Sequence, residues 1–150
     1  MSNCLFDALL NGRQTGNGEL FLGVGDSGKS ELLLDDDAFF QRSATIAAVL
    51  VAHDVKVGDR VAVQVSKSID ALALYIACVR IGAVFLPLNT AYIESELAYF
   101  IEDASPAVLV MDPADAEAGD RLVTAQNLLT LDNAGGGTLA LAADQATPLL

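Results

Sequence analysis

RVAVQVSKSIDALALYIACVRIGAVFLPLN, residues 60–89, changes its hydrophobic period twice, and those changes decide the architecture. RVAVQVS (60–66) alternates β-branched residues and reads as a strand. Ser68 then caps a helix over IDALALYIACVRI, and Gly82 closes it, because a helix end favours the residue that tolerates a left-handed backbone. AVFLPLN (83–89) is a second apolar strand, with Pro87 near its end, where a missing N–H matters least.

Working outward, the alternation continues. A helix is expected over about 93–104, with Leu97, Phe100 and Ile101 on one face. Ser105-Pro106 breaks it, and AVLVM (107–111) is the next strand. Upstream, Asp35-Asp36-Asp37 offers caps and negative charge to the start of a helix through AFFQRSATIAAVLVAHDV. Lys56-Val57-Gly58-Asp59 is a turn. Strands this apolar do not suit a half-exposed sheet. The expectation is therefore an α/β fold: a parallel sheet of right-handed βαβ units covered by helices on both faces. Residues 35–113 form that core. Residues 1–34 read as a short helix and a hairpin of ELFLGV and SELLL. Residues 114–150 read as a less regular Ala/Gly/Asp-rich continuation, with a strand at LLTLD (128–132) and a flexible connector at Gly135-Gly136-Gly137.

Composition narrows the function. The 150 residues are 53% hydrophobic and 19% charged, which suits one globular domain. A net charge of −12 argues against nucleic acid and anionic membrane as partners. The five Arg (13, 42, 60, 80, 121) and three Lys (29, 56, 67) are dispersed. Between Ile101 and Asp120 there are six acids and no base. The N-terminus lacks the basic start and apolar core of a signal peptide, and no run is long enough to span a bilayer. Cys78 lies in the apolar helix and Cys4 far from it, so reduced thiols and a cytoplasmic setting are expected.

GVGDSGKS, Gly23–Ser30, matches the Walker A pattern letter for letter, and AVLVMD (107–112) imitates a Walker B strand. A phosphate cradle needs a helix beginning at the Lys. That helix would carry Asp35, Asp36 and Asp37 about 9–12 Å up its axis from the phosphates, three poor helix formers of the wrong sign. A turn at Gly25-Asp26-Ser27-Gly28 between two strands needs no such strain, and leaves Lys29 and Ser30 as solvated hairpin residues. Asp112 then simply caps the turn begun by Pro113. His53, the single histidine, sits at a helix end, and metal-ligand spacing is absent. Tyr92 and Tyr99 read as core or interface packing. Lys67, just beyond a parallel strand, is the best placed base for an anion, though a solvated loop lysine is the plainer reading.

Residues 55–113, VKVGDRVAVQVSKSIDALALYIACVRIGAVFLPLNTAYIESELAYFIEDASPAVLVMDP, resemble the N-terminal region of the acyl-activating, AMP-forming (adenylate-forming) enzymes. The pattern KS-x-x-AL-x-LY, then PLNTAY, then EL-x-YFI-x-DA-x-P is most similar to malonyl-CoA synthetases. One departure is LLLDDD, where that family usually opens its first long helix with Tyr or Phe. The resemblance implies part of the large N-terminal domain of a ligase that forms acyl-CoA from a carboxylate, ATP and CoA through an acyl-adenylate. It implies ATP, Mg²⁺ and coenzyme A for the full-length enzyme and none held by these residues. The family's YTSGTTG-x-PKG loop, its later Tyr-Gly-x-Thr-Glu segment, its ribose Asp and its lid Lys have no counterpart here. Asn89 and Thr90 in PLNTAY read as sheet-shaping residues. No catalytic, cofactor-binding or metal-ligating residue is therefore assigned. The expectation is a scaffold portion that ends before its chemistry and is inactive alone. Its partner would be the remainder of the enzyme or a complementing chain, with self-association through an exposed sheet edge as a further outcome. Two other readings stand beside it: a small P-loop nucleotide-binding protein using Gly23–Ser30, and a non-catalytic interaction module.

Overall fold

The computed structural model describes residues 3–12, 19–24 and 30–149, and the side chains of residues 3–12, 35–124 and 126–149. Helix α1 (Cys4–Asn11) is followed by strands β1 (Glu19–Val24) and β2 (Ser30–Asp35), which pair antiparallel with Val24 opposite Ser30. Then come α2 (Asp36–Ala52), β3 (Arg60–Gln64), α3 (Ile69–Ile81), β4 (Val84–Pro87), α4 (Glu94–Ala104) and β5 (Val108–Met111). The chain continues through α5 (Ala116–Leu122), β6 (Leu128–Thr130) and α6 (Thr138–Gln145). The second sheet is wholly parallel, in the order β4-β3-β5-β6.

Capping chemistry places the helix starts. The Ala38 N–H donates to Asp35 Oδ1 at 2.7 Å, so α2 begins at the acidic triplet. The Ala71 N–H donates to Ser68 Oγ at 3.0 Å, and Gly82 at φ 73° ends α3.

Period-2 alternation divides the sheet between two cores. Val61, Val63, Val108, Val110 and Leu129 face the larger one, built with α1, α2, α3 and α6 around Leu50, Leu74 and Leu139. Ala62, Leu109 and Met111 face the smaller one, with Leu97 and Ile101 of α4 and, from α5, Leu122. The step from β3 to β4 uses a helix on the first face. The step from β4 to β5 runs the other way and uses a helix on the second. A single hand of crossover requires that exchange of faces.

Residues 114–150 are more regular than their composition implies. β6 extends the parallel sheet, and α6 buries Leu139, Ala140 and Ala143. The glycine triplet is a tight turn rather than a slack connector. Asp132 Oδ1 accepts from the Ala134 and Gly136 N–H groups at 2.8 and 2.7 Å. Gly137 has φ 110°, and a Cβ there would lie 2.3 Å from the Thr130 carbonyl oxygen. Thr130 and Thr138 then lock the turn: each backbone N–H donates to the other's hydroxyl at 2.9 Å. Glycine was chosen here for its backbone angle and its lack of a side chain, which composition alone does not distinguish from flexibility.

Candidate functional site at the carboxyl edge of the sheet

Crossovers leave β3 and β5 on opposite faces, so a crevice opens at the carboxyl ends of these neighbouring strands, the usual ligand position in open α/β sheets. Its walls are the segments after β3 (Val65–Ser68), after β4 (Leu88–Tyr92) and after β5 (from Asp112). Gln64, buried at the end of β3, fixes the second wall: its Nε2 donates to the carbonyls of Asn89 at 2.9 Å and Tyr92 at 3.2 Å. This residue carried no local signal, because its partners lie 25 and 28 positions away.

Most of the polar groups that could meet a ligand here are already used. Asn89 Oδ1 accepts from the Ala91 N–H at 2.9 Å, and Asp112 Oδ1 accepts from the Ala114 N–H at 2.9 Å, as the capping reading of Asp112 requires. Ser68 is spent on α3, and Asp132 on the glycine turn. Lys67 and Thr90 are exposed. Against the carboxylates of Asp112 and Asp132, one solvated lysine does not reverse the local field for a triphosphate. Among the described residues, those that line this crevice do not fit a nucleotide.

Beside the crevice, a cleft of about 680 Å³ opens between α2, the start of α3, the glycine turn and α6. Arg42 spans it. Its Nε and Nη2 donate to the two oxygens of Asp70 at 2.9 and 2.8 Å, a bidentate fork, and Nη1 donates to Asp144 at 2.7 Å. The Asp70 hydrogen bonds hold the guanidinium pKa above its ordinary value, against the opposing effect of burial. With two carboxylates on one cation, the cleft is an interhelix clamp and offers no free charge to an anion.

The Walker A segment is flanked by strands. Gly23 and Val24 end β1, Ser30 begins β2 antiparallel to it, and the next helix waits until Asp36. Residues 25–29, Lys29 among them, lie outside the described residues. A strand where the cradle needs a helix removes the dipole and the row of N–H groups that would hold phosphate. AVLVMD is interior strand β5 followed by the Asp112 cap. His53 caps the end of α2, with Nδ1 2.8 Å from the Gln126 carbonyl oxygen, a structural bridge to the segment before β6. Tyr92 stacks on Phe100 at 5.0 Å within the smaller core, whereas Tyr99 is 67% exposed and touches Phe100 edge-on. Among the described residues, no group of His, Cys, Asp and Glu could hold a metal ion, and no helix is long and apolar enough to cross a membrane.

Residues 37–148 match the family model described as AMP-binding enzyme. The crystal structure of ATP-bound MatB from Rhodopseudomonas palustris is similar over 98% of this chain, at 38% identity and a TM-score of 0.82, yet this chain spans 29% of that one. A probable CoA ligase, CCL9, from Humulus lupulus is 32% identical over 63% of this chain, which covers 19% of the ligase. Vanchrobactin synthetase VabF from Vibrio anguillarum is 39% identical over 49% of this chain, 3% of its own length. A Brucella canis acyl-CoA synthetase shares the fold at 18% identity, with a TM-score of 0.76.

Proposed function

We propose a function from one premise: the chain belongs to the AMP-binding enzyme family. It is the scaffold portion of an adenylate-forming acid–thiol ligase, in which a carboxylate and ATP give an acyl-adenylate and coenzyme A then takes the acyl group. Malonate is the acid. The observation that carries this reading is the coincidence of motif and architecture. The stretch that resembles malonyl-CoA synthetases, residues 55–113, is the β3-α3-β4-α4-β5 wall, and the chain superposes along nearly its whole length on ATP-bound MatB.

These residues contribute shape. The Gln64 bridge fixes the PLNTAY segment against the end of β3, and the Arg42 clamp fixes the start of α3. ATP, Mg²⁺ and coenzyme A supply the adenylation and thiol-transfer chemistry in the complete domain, and no step of it is assigned to a side chain here. Pyrophosphate exchange into ATP tests the reading. The 150 residues alone, given malonate and Mg-ATP, should exchange none. Joined to the rest of an AMP-binding domain, they should support malonate-dependent exchange and malonyl-CoA formation. Exchange by the chain alone, or a joined domain that folds yet forms no adenylate, would contradict it.

A further inference from the structure

Helix α3 is built for an interior. IDALALYIACVRI carries two charges, and both are engaged within the chain: Asp70 by Arg42, and Arg80 by the Leu149 carbonyl, with its guanidinium carbon 4.5 Å from the centre of the Phe6 ring. The two residues that α3 exposes are both large and apolar, Leu72 at 43% and Tyr75 at 37%. A helix apolar on every side belongs in an interior; here the sheet covers one side of α3 and α1 and α2 cover others, while the flank that carries Leu72 and Tyr75 is left open. Phe85 of β4 extends the patch, with its ring centroid 5.5 Å from that of Tyr75. Val84, 47% exposed, sits on the same open edge.

Backbone chemistry says how this surface can be covered. Val84 and Leu88 donate to β3, at Asp59 and Val63, so the alternate residues Phe85 and Pro87 direct their backbone groups outward. Pro87 has no N–H. The outer edge of β4 therefore offers a single donor, and an added strand would find little to pair with. Side-chain packing on α3 is the route left open. Charge selects the occupant: a second copy brings another −12 toward the first, and the patch holds no cation to offset it. The relatives supply the alternative, since the solved MatB chain holds more than twice as much polypeptide again beyond the part that this chain matches.

From these observations we infer that the Leu72–Tyr75–Phe85 face is a docking surface, and that its occupant is the remaining polypeptide of an AMP-binding domain, packed side chain against side chain over α3. The inference rests on the functional reading above but is separately testable. Thiol labelling reads it. In a Cys4→Ser background, where the remaining Cys78 is fully buried, Tyr75→Cys and Tyr99→Cys are each placed in two proteins. One is the free 150-residue chain, and the other is a chimera in which these residues replace the matched segment of MatB. Tyr75→Cys should label readily in the free chain and about a hundredfold more slowly in the chimera, while Tyr99→Cys labels readily in both.

Equal labelling of Tyr75→Cys in both proteins overturns the inference. So does a chimera that fails to fold beside a folded parent MatB. Self-association of the free chain that Leu72→Asp abolishes would assign the face to a second copy instead. As an independent reading, Leu72→Asp should lower the melting temperature of the chimera several times more than that of the free chain; equal shifts contradict the proposal. A chimera protected at Tyr75→Cys but without adenylation sinks the functional reading alone. One that adenylates while Tyr75→Cys stays open sinks the docking alone.

Discussion

Helices α3 and α4 are consecutive crossovers of one sheet, yet they were written for different surroundings. α4 turns Leu97 and Ile101 to the sheet and shows water Glu94, Glu96, Glu102 and Asp103. It even caps itself, with Glu96 Oε2 accepting the Ile93 N–H at 3.0 Å. α3 has no polar face to show. The thinner layer over β3 and β5 thus turns a mainly acidic face to solvent, with Tyr99 its one large exposed ring, whereas the thicker one leaves α3 bare at two residues that are both apolar. Burial alone does not reveal this; which residue types remain exposed does.

The contrast can be sharpened by asking what each layer contributes. Leu74→Ala, in α3 beneath the second helix layer, should cost about 3–4 kcal/mol, whereas Leu97→Ala, in the small core under α4, should cost about 2 kcal/mol because that site collapses more readily. Urea melts of the two variants check the order, and equal losses would break the comparison.

A second difference appears at high pH. Burial pushes the Cys78 thiol up from 9.0 to about 12. Thiolate therefore forms in the unfolded chain before the folded one. The stability from this site is complete below about pH 9 and declines as pH rises toward 12, by about 3 kcal/mol at pH 11. The difference between wild type and Cys78→Ala should show that slope, and parallel curves would contradict it.

Smaller effects are expected on the α4 side. A Cβ at Gly119 would meet Leu128 Cδ1 at 2.7 Å and Met111 Sδ at 3.0 Å, both flexible side-chain ends. Gly119→Ala should cost about 1 kcal/mol, read from the urea midpoint. Smallest is the exposed pair that ties α4 to α5. Glu94 accepts two hydrogen bonds from Arg121, at 2.9 and 2.8 Å, which hold its pKa below the ordinary value. That contribution is present above the ordinary glutamate range and lost as pH falls through the depressed pKa. Arg121→Ala should lower stability slightly at neutral pH and leave it unchanged below the depressed pKa, so that the acid limb flattens; urea midpoints measured across pH check it, and equal losses at both ends would contradict it.

Much of this architecture was legible in the amino acids because the signals are local. The Asp35 cap, the helix 69–81 with Ser68 and Gly82 at its ends, and the pairing of ELFLGV with SELLL all depend on neighbours a few positions away. The strands came out shorter than read: 60–64 rather than 60–66, and 84–87 rather than 83–89. Ladder pairing ends before the apolar run does. Less could be read after Pro113. α5 is seven residues long and carries Gly119 in its middle, where the missing Cβ lets it lie close to Leu128 and Met111. The Arg42 clamp joins residues 28 and 102 positions apart, and no local pattern announces such a contact. At the candidate site, the acidic triplet argued locally for a helix that waits until Asp36, where α2 begins, whereas Gln64 required the folded chain.

The measurement that bears most directly on the account is equilibrium binding of Mg-ATP to the purified 150-residue chain and to Lys29→Ala. A scaffold whose Gly23–Ser30 segment is flanked by two strands should show no saturable binding, with the two proteins indistinguishable. Saturable binding lost in Lys29→Ala would mean that the segment grips phosphate after all, and the scaffold reading would fall.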